Sequence, residues 1–426
     1  MPRPSPIGVS SRRSFLAAAT AAPVALASLS AAASSSASRA LAGGFFNGGE
    51  RIRVGLIGAG GRGTGAALQA AVADRAVEIV AMGDLFADTI ASSVALLRRE
   101  IPSQLACPAE QRWVGPDAYR HVLAAGVDVV LLAAPPHTRS QHLAAAVAAG
   151  CHVYCETPAA IDVAGVHAVA ATLAQAERNG LMVVSGLCQR RDEPTVELMQ
   201  QIHAGAVGDV QHISLVADLG LPWQIPAQAG WAPEQCRQRN WISHPEYSGG
   251  HFVEQHIHAL DRALWALGDA VPLVAVGRVP APRGTLDSTG SEETCVEYTF
   301  AGGATLLASC RRSAESRHHT SEMLVGSRGS VDLRRQLIQL NGIQLNGIQA
   351  NAQAGWQPGG APAGGQMYQA ALDALLRGVR SGRQATDGPR LVQSTLAAIM
   401  GRMAAEGRPV VWTEVCPQTP RSTQTV

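Results

Sequence analysis

The sequence predicts an α/β fold: a Rossmann-type doubly wound parallel sheet followed by a C-terminal α+β domain with a large, mostly antiparallel sheet. Three observations predict it. An apolar run ends in Gly58-x-Gly60-x-x-Gly63 and flows into a helical segment. Strands and helices then alternate from Arg51 to about Gly186, and beyond Gly186 strand candidates follow one another without intervening helices.

The stretch Arg53-Val-Gly-Leu-Ile-Gly58-Ala-Gly60-Gly-Arg62-Gly63 combines the strand, tight turn and helix start that a dinucleotide pyrophosphate needs. Gly58 makes the turn and Gly60 lets the backbone approach the phosphates. Gly63 permits close helix–strand packing, and the helix N-terminus meets the negative charge. Arg62, inside the turn, belongs with the expected cofactor contacts. In a chain with 44 Gly the bare pattern is weak, but here it has its context. A second apolar run, Val77-Glu-Ile-Val-Ala-Met-Gly, ends in Asp84, about 20 residues on, where an acid can hold the adenine-ribose hydroxyl. Leu85 and Phe86 follow, with no adjacent Arg for a 2′-phosphate, so NAD is favoured over NADP.

With 426 residues the chain has room for two domains, and 46% apolar residues suffice for their cores. Charged residues are 16%, against a typical ~25%. A net charge of +1 and the lack of a Lys/Arg run argue against nucleic acid as a partner. Ser11-Arg12-Arg13-Ser14-Phe15-Leu16 precedes an Ala-rich apolar stretch reaching about Leu29 and resembles a twin-arginine export signal, with small-residue cleavage options at Ala31–Ala33. The expected partner is therefore the twin-arginine export machinery, and the expected location periplasmic or secreted. No later run reaches ~18 apolar residues, so no membrane span is expected in the mature protein. Ser34 to Gly49 reads as a flexible linker. The expected division is signal and linker at 1–48, a NAD-binding domain at 49–186, and a substrate and oligomerisation domain at 187–426. Outside the cytoplasm there is no NAD pool, so a nucleotide bound before export has to stay bound and be regenerated in place. The eight Cys form no CxxC and no zinc-ribbon spacing.

In the first domain the strand-like runs are Ile52–Ile57, Val77–Met82, Val127–Ala133, His152–Cys155 and Leu181–Ser185. Helix-like runs intervene at Thr64–Ala73, Thr89–Arg99, Ala118–Ala125, Ser140–Ala149 and Val163–Arg178. In the second, a helix at Pro194–His203 leads to a strand at Val210–Ala217 and an irregular segment, Asp218–Ser248, rich in Trp, Pro and Gln. A helix at Gly250–Leu267 precedes strands at Leu273–Val279, Cys295–Phe300, Thr305–Arg311 and Glu322–Val325. Two Asn-Gly-Ile-Gln repeats, at Asn341 and Asn346, read as a turn-rich ribbon edge, and Gly355–Gly365 as a loop. Helices at Met367–Val379 and Leu391–Ala405 and a strand at Val410–Trp412 complete the chain.

From Arg51 to about Glu414 the chain resembles the Gfo/Idh/MocA family of NAD(P)-dependent sugar and polyol oxidoreductases. The resemblance rests on the glycine turn and Asp84, on Val129-Val-Leu-Leu-Ala-Ala-Pro135-Pro136-His137, and on Gly150-Cys-His-Val-Tyr-Cys-Glu156-Thr157-Pro158. It continues through Gly249-Gly250-His-Phe-Val-Glu254-Gln-His256-Ile-His258-Ala-Leu-Asp261 and Leu396-Ala-Ala-Ile-Met-Gly-Arg-Met-Ala404. It implies an open-faced sheet in the second domain, a carbohydrate, polyol or cyclitol substrate between the domains, and Pro135, His137 and Glu156 beside the cofactor. Thr157 is a departure: the family usually has Glu-Lys-Pro there, with the Lys beside nicotinamide and reacting hydroxyl. A lysine ammonium stabilises a developing alkoxide, and Thr157 carries no charge to do so.

His251, Glu254, His258 and Asp261 are spaced by three, four and three residues, so a continuous helix puts them on one face. Glu254 matches the family's usual Asp and His258 its catalytic His, and a carboxylate one turn from an imidazole can orient it as an acid/base unit. The same face offers ligand types for a metal, which nothing else in the sequence requires. His256 lies some 200° round the helix from Glu254 at ~100° per residue, yet remains a candidate substrate contact. So do Arg190, for which an interdomain ion pair is the alternative, and Trp241, which with Trp223 and Trp231 offers a sugar-stacking face or a loop anchor. The leading expectation is net oxidation of a sugar or cyclitol hydroxyl. A redox-neutral alternative follows family relatives, the NAD-dependent α-N-acetylgalactosaminidases, which also lack the Lys and work by transient C3 oxidation. Val253 stands where they have Tyr. A third alternative is a non-catalytic sugar or nucleotide sensor. An open-faced sheet also suggests self-association as dimer or tetramer.

Overall fold

The computed structural model describes residues 49–279, 292–340, 355–356, 366–382 and 386–416. The expected export signal and its cleavage options, most of the linker, the Asn-Gly-Ile-Gln repeats and residues 357–365 of the expected loop lie outside them; Gly355–Trp356, expected within that loop, forms a short strand.

The first sheet has strands β1 (Ile52–Ile57), β2 (Val77–Asp84), β3 (Arg112–Val114), β4 (Val129–Leu132), β5 (His152–Cys155) and β6 (Val183–Ser185), all parallel, in the order β3-β2-β1-β4-β5-β6. The strand order reverses between β1 and β4, which opens a crevice at their carboxyl ends where such sheets take ligands. Both faces are covered, so the strands are buried nearly throughout. Helices Gly61–Ala73 and Ala87–Glu100 pack on one face, and Ala118–Ala124, Arg139–Ala148 and Val163–Arg178 on the other. The short β3 shows no periodicity in sequence and enters the sheet only through pairing with Met82–Asp84.

The second sheet comprises β7 (Val210–Leu219), β8 (Pro272–Val279), β9 (Glu292–Phe300), β10 (Thr305–Arg312), β11 (His319–Gly326), β12 (Gly329–Asp332), β13 (Leu337–Leu340), β14 (Gly355–Trp356) and β15 (Val410–Val411). Its order is β14-β13-β12-β11-β7-β10-β9-β8-β15, antiparallel except for β7 beside β10. Inward residues such as Ile213, Leu215, Val296, Tyr298, Leu306 and Ala308 alternate with less buried ones, so one face builds a core and the other is open. Helices Glu193–His203, Ile257–Ala266 and Gly388–Ala405 cover the inner face. Helix Gln366–Ser381 leaves this unit and packs Leu372, Leu375 and Leu376 on the first sheet, beside Gly61–Ala73.

Two expectations need correction. Asp218–Ser248 is not wholly irregular: it holds short helices at Pro233–Arg239 and Pro245–Ser248 and a 3-10 turn at Trp241–Ser243. The helix expected over Gly250–Leu267 is broken into His251–Glu254 and Ile257–Ala266. Gln255 and His256 form the joint, with the backbone N–H of His256 bonded to His251 O at 3.2 Å. Apolar residues on both sides of the joint keep helical spacing, which hides the break from a sequence reading.

Phe252 is locked from outside by Gly401. A Cβ on Gly401 would stand 2.5 Å from Phe252 Cε1 and would overlap the Tyr298 hydroxyl, which donates to Ala397 O at 2.8 Å. Gly401→Ala should cost about 1–3 kcal/mol by overpacking, seen as a lower midpoint in equilibrium denaturation. An unchanged midpoint would show that Phe252 and Tyr298 can move without cost.

Candidate active site

The glycine turn has the shape a dinucleotide requires. Gly58 has φ of +88°, and a Cβ there would strike the backbone of Ala134 on β4's exit loop. A Cβ on Gly63 would strike Gly58 O, so helix and turn touch directly, whereas Gly60 and Gly61 face open space. The helix Gly61–Ala73 begins at that space, and its first closing bond runs from Thr64 N to Gly60 O at 2.9 Å, leaving the amides before it directed at the groove. Asp84 closes the far side. Its Oδ2 accepts from Ala59 N at 2.7 Å and its Oδ1 from Phe86 N at 3.0 Å, so it braces the turn. Burial pushes its pKa up against those bonds. The residues present fit a dinucleotide.

The opposite end of the groove is built from the loops after β4, β5 and β6. Pro135 accepts from Thr138 N at 3.2 Å and positions His137, whose ring lies 5.0 Å from that of Tyr247. Burial holds His137 below its ordinary pKa. Glu156 is buried, accepts from the Tyr154 hydroxyl at 3.0 Å and makes a 3.1 Å ion-pair contact with Arg62 Nε. Arg62, stacked 4.5 Å over Tyr368, thereby ties the glycine turn to the Glu156-Thr157-Pro158 loop. A Cβ on Gly186 would strike Glu156 Oε2, so the glycine after β6 makes room for that carboxylate. Arg139, a residue the sequence reading passed over, is 4% exposed and donates to Pro158 O and, at 2.6 Å, to Ala134 O. It pins the loops after β4 and β5 together beneath the site.

From the second domain come His251, Glu254 and His258. The His251 backbone N–H donates to Glu292 at 3.0 and 3.1 Å, and its Nδ1 accepts from Arg312 Nε at 2.8 Å. Glu254 lies within electrostatic reach of Arg312, Arg139 and Glu156, and burial pushes its pKa up. His258 lies within reach of Glu156, and burial, aided by the Arg262 charge, pushes its pKa down. The expected Glu254–His258 hydrogen bond is not made, because the helix breaks between them. Glu254 Oε2 and His258 Nδ1 are both sealed from solvent without a partner, as is Thr157 Oγ1. Each such atom is costly unless a ligand or water completes it.

The remaining candidates are placed elsewhere. Arg190 is the expected ion pair, not a substrate contact: it grips fully buried Asp261 through Nε at 3.0 Å and Nη2 at 2.8 Å, and reaches Asp269 at 2.7 Å. His256 is buried against Phe252, ring centroids 5.3 Å apart, with its pKa lowered to about 4 by burial, so it faces the core and not the cleft. Trp241 is half-buried at the start of its 3-10 turn, Trp223 is 49% exposed, and Trp231 carries the guanidinium of Arg239 at 4.2 Å. Among the described residues no group of three His, Cys, Asp or Glu is arranged to hold a metal.

Residues 52–185 match the oxidoreductase family with the NAD-binding Rossmann fold, and residues 195–332 match the GFO/IDH/MocA C-terminal domain. The chain belongs to the Gfo/Idh/MocA oxidoreductase family. Inositol 2-dehydrogenase 4 of Saccharopolyspora erythraea is 28% identical over 241 residues, 56% of this chain and 60% of that one. D-glucoside 3-dehydrogenase of Escherichia coli is 26% identical over 189 residues, 44% of this chain and 46% of that one. The chain thus spans about three fifths of the length of the first curated relatives. Among solved structures, aldose-aldose oxidoreductase from Caulobacter crescentus superposes with TM-score 0.61 at 19% identity, over 85% of this chain and 99% of that one. Scyllo-inositol dehydrogenase from Lactobacillus casei with bound NAD(H) and scyllo-inositol gives 0.60 at 16%, over 85% and 99%. These share the fold.

The open space before Gly60 yields a clean test. Gly60→Val places a side chain where the structure offers nothing to strike, so apoprotein stability should hardly move. Nucleotide affinity should fall by about tenfold or more, on the order of 1.4 kcal/mol, in a titration of reduced-nucleotide fluorescence. Unchanged affinity would place the pyrophosphate elsewhere.

Proposed function

We propose that this protein is an exported NAD-dependent oxidoreductase acting on a hydroxyl of a sugar, sugar derivative or cyclitol, with its nucleotide held as a resident group. Three unpaired buried atoms, Thr157 Oγ1, Glu254 Oε2 and His258 Nδ1, carry the reading: Glu254 and His258 both lie within electrostatic reach of Glu156, the residue before Thr157. Bound there, a nicotinamide supplies the hydride acceptor or donor. His258 takes the hydroxyl proton. Because its pKa lies below the ordinary histidine value it is already the free base at neutral pH. Glu254, with its pKa raised, and Thr157 complete the hydrogen bonds of the sugar hydroxyls. Arg139 supplies fixed positive charge beneath the loop that lacks the family's lysine.

Retention of the nucleotide is supported by Asp218–Ser248. Arg239 forks onto Asp88 at 2.9 and 2.8 Å and lies 4.0 Å over Phe86, while the Tyr247 ring meets that of His137 at a tilt, 5.0 Å between centroids. One segment of the second domain thus touches both the β2 end and the β4 end of the crevice, strapping the groove at its two extremities. The Arg missing beside Asp84 in sequence is in this way supplied from 151 residues along, counted from Asp88. Asp88 already neutralises it, and the Asp84 carboxylate repels a 2′-phosphate, so NAD remains the favoured nucleotide. Self-association would use the open face of the second sheet. Thr157 also favours a second reading, redox-neutral glycoside cleavage through transient oxidation, recognised by aglycone release without net change in nicotinamide absorbance.

Two measurements bear on the leading reading. His258→Gln should lower kcat/KM on the best sugar or cyclitol by about 10²–10⁴-fold. In wild type the acid limb of the pH profile should fall below the ordinary histidine value of 6.5, since activity is lost only when pH drops through the depressed pKa. An unchanged rate, or a limb above that value, would remove His258 as the base. Separately, Arg239→Ala should reduce the fraction of protein that keeps nucleotide through desalting. Equal retention would show that the strap does not hold it.

A further inference from the structure

Arg312 ends β10, where the ladder sets it opposite Glu292 of β9 and Leu219 of β7. It is 9% exposed. Other little-exposed arginines spend their terminal amino groups on protein acceptors: Arg190 on Asp261, Arg191 on Asp387 at 2.6 and 2.9 Å, Arg262 on Glu322, and Arg139 on the carbonyls of Pro158 and Ala134. Arg312 is different. The obvious partner across the strand pair, Glu292, instead accepts the His251 backbone N–H with both oxygens. Arg312 gives only its Nε, to His251 Nδ1 at 2.8 Å, and its two terminal amino groups bond to no described residue. Glu254 and Glu292 are close enough to act on its charge, yet neither forms an ion pair with it. The bond to His251 has a second consequence. A ring nitrogen that accepts carries no proton, so the neutral imidazole is the Nε2–H tautomer, and that N–H has no partner either.

A guanidinium held largely out of water keeps its charge, and its two terminal amino groups are left for solvent or an incoming acceptor. Its planar terminal fork matches a carboxylate bidentately, whereas a lone hydroxyl uses one arm. Arg312 lies within electrostatic reach of Glu254, on the side contributed by the second domain. Resting on the reading of that cleft as a sugar or cyclitol site, we infer that Arg312 forms a carboxylate-binding subsite, which makes the preferred substrate a sugar acid, such as a uronate, in place of a neutral sugar or cyclitol. The chemistry at the reacting hydroxyl is unchanged. The acid group anchors the ring from the second domain while His258 meets the hydroxyl.

The test is equilibrium binding to the nucleotide-loaded protein, followed by thermal shift or nucleotide fluorescence, with D-glucuronate against D-glucose and D-galacturonate against D-galactose. The uronate of at least one pair should bind about tenfold tighter or better. That preference should vanish in Arg312→Gln, survive in part in Arg312→Lys, and shrink as ionic strength rises. The inference is overturned if wild type binds each neutral sugar as tightly as its uronate, or if Arg312→Gln keeps the preference. Should Arg312→Gln fail to fold, a wild-type preference indifferent to salt and undiminished in Arg312→Lys overturns it equally. Binding is read without turnover, so uronate binding with no redox or cleavage chemistry would sink the proposed activity and leave the subsite standing.

Discussion

The buried fork between Arg190 and Asp261 sets the geometry on which the site depends. Arg190 belongs to the turn after β6, at the exit of the first sheet, and Asp261 to the helix Ile257–Ala266 of the second domain. Ser394 Oγ adds a third bond to Asp261 at 2.7 Å, drawing in helix Gly388–Ala405. Three segments distant in sequence are thereby fixed with His258 one turn before Asp261 and facing the Glu156-Thr157-Pro158 loop. Removing one partner of such a buried pair costs on the order of 3–5 kcal/mol, because the other charge is left without water or counter-ion. Burial pushes the pKa of Asp261 up and Arg190 opposes it, so the carboxylate depends on its guanidinium.

A second constraint acts on the first-domain side. Arg139 joins the loops after β4 and β5 through carbonyl oxygens, not a carboxylate, and so keeps its charge available to the cleft. Its field reaches Glu156 and Glu254. A site without the family's lysine therefore still has a fixed cation beneath it, but one that is held rigidly and cannot exchange a proton. On the proposed function the acid/base work falls to His258 and the electrostatic background to arginine, a division that differs from one lysine doing both.

Much of the fold was legible in the sequence because it is written in local pattern. The runs Ile52–Ile57, His152–Cys155 and Val163–Arg178 form the elements expected of them, residue for residue. β3, β12 and β13 were not legible, since these short strands, unlike the apolar run at His152–Cys155, carry polar or charged residues and exist only through their neighbours. For the site, the glycine turn, Thr157, Glu254 and His258 were legible through motif spacing. Arg139, Arg239 and Arg312 were not. Arg239 meets Asp88, and Arg312 meets His251, across 151 and 61 residues, and no spacing rule links them. Gly186 offered a signal in hindsight: a glycine directly after a buried strand marks a close approach, here by Glu156. The helix break at Gln255–His256 is the instructive failure, because unbroken helical spacing implied a Glu254–His258 pair that the bent backbone separates.

The account as a whole holds that the unpaired atoms of Thr157, Glu254 and His258 face a nucleotide that stays with the protein and exchanges hydride with a sugar-like substrate. The most direct measurement is the nicotinamide absorbance of the purified, desalted protein before and after addition of sugars, sugar acids and cyclitols. The account predicts bound nucleotide in the starting spectrum, and a reduced band that grows or bleaches when the right compound is added. Folded protein that carries no nucleotide and takes up none when it is supplied would contradict it.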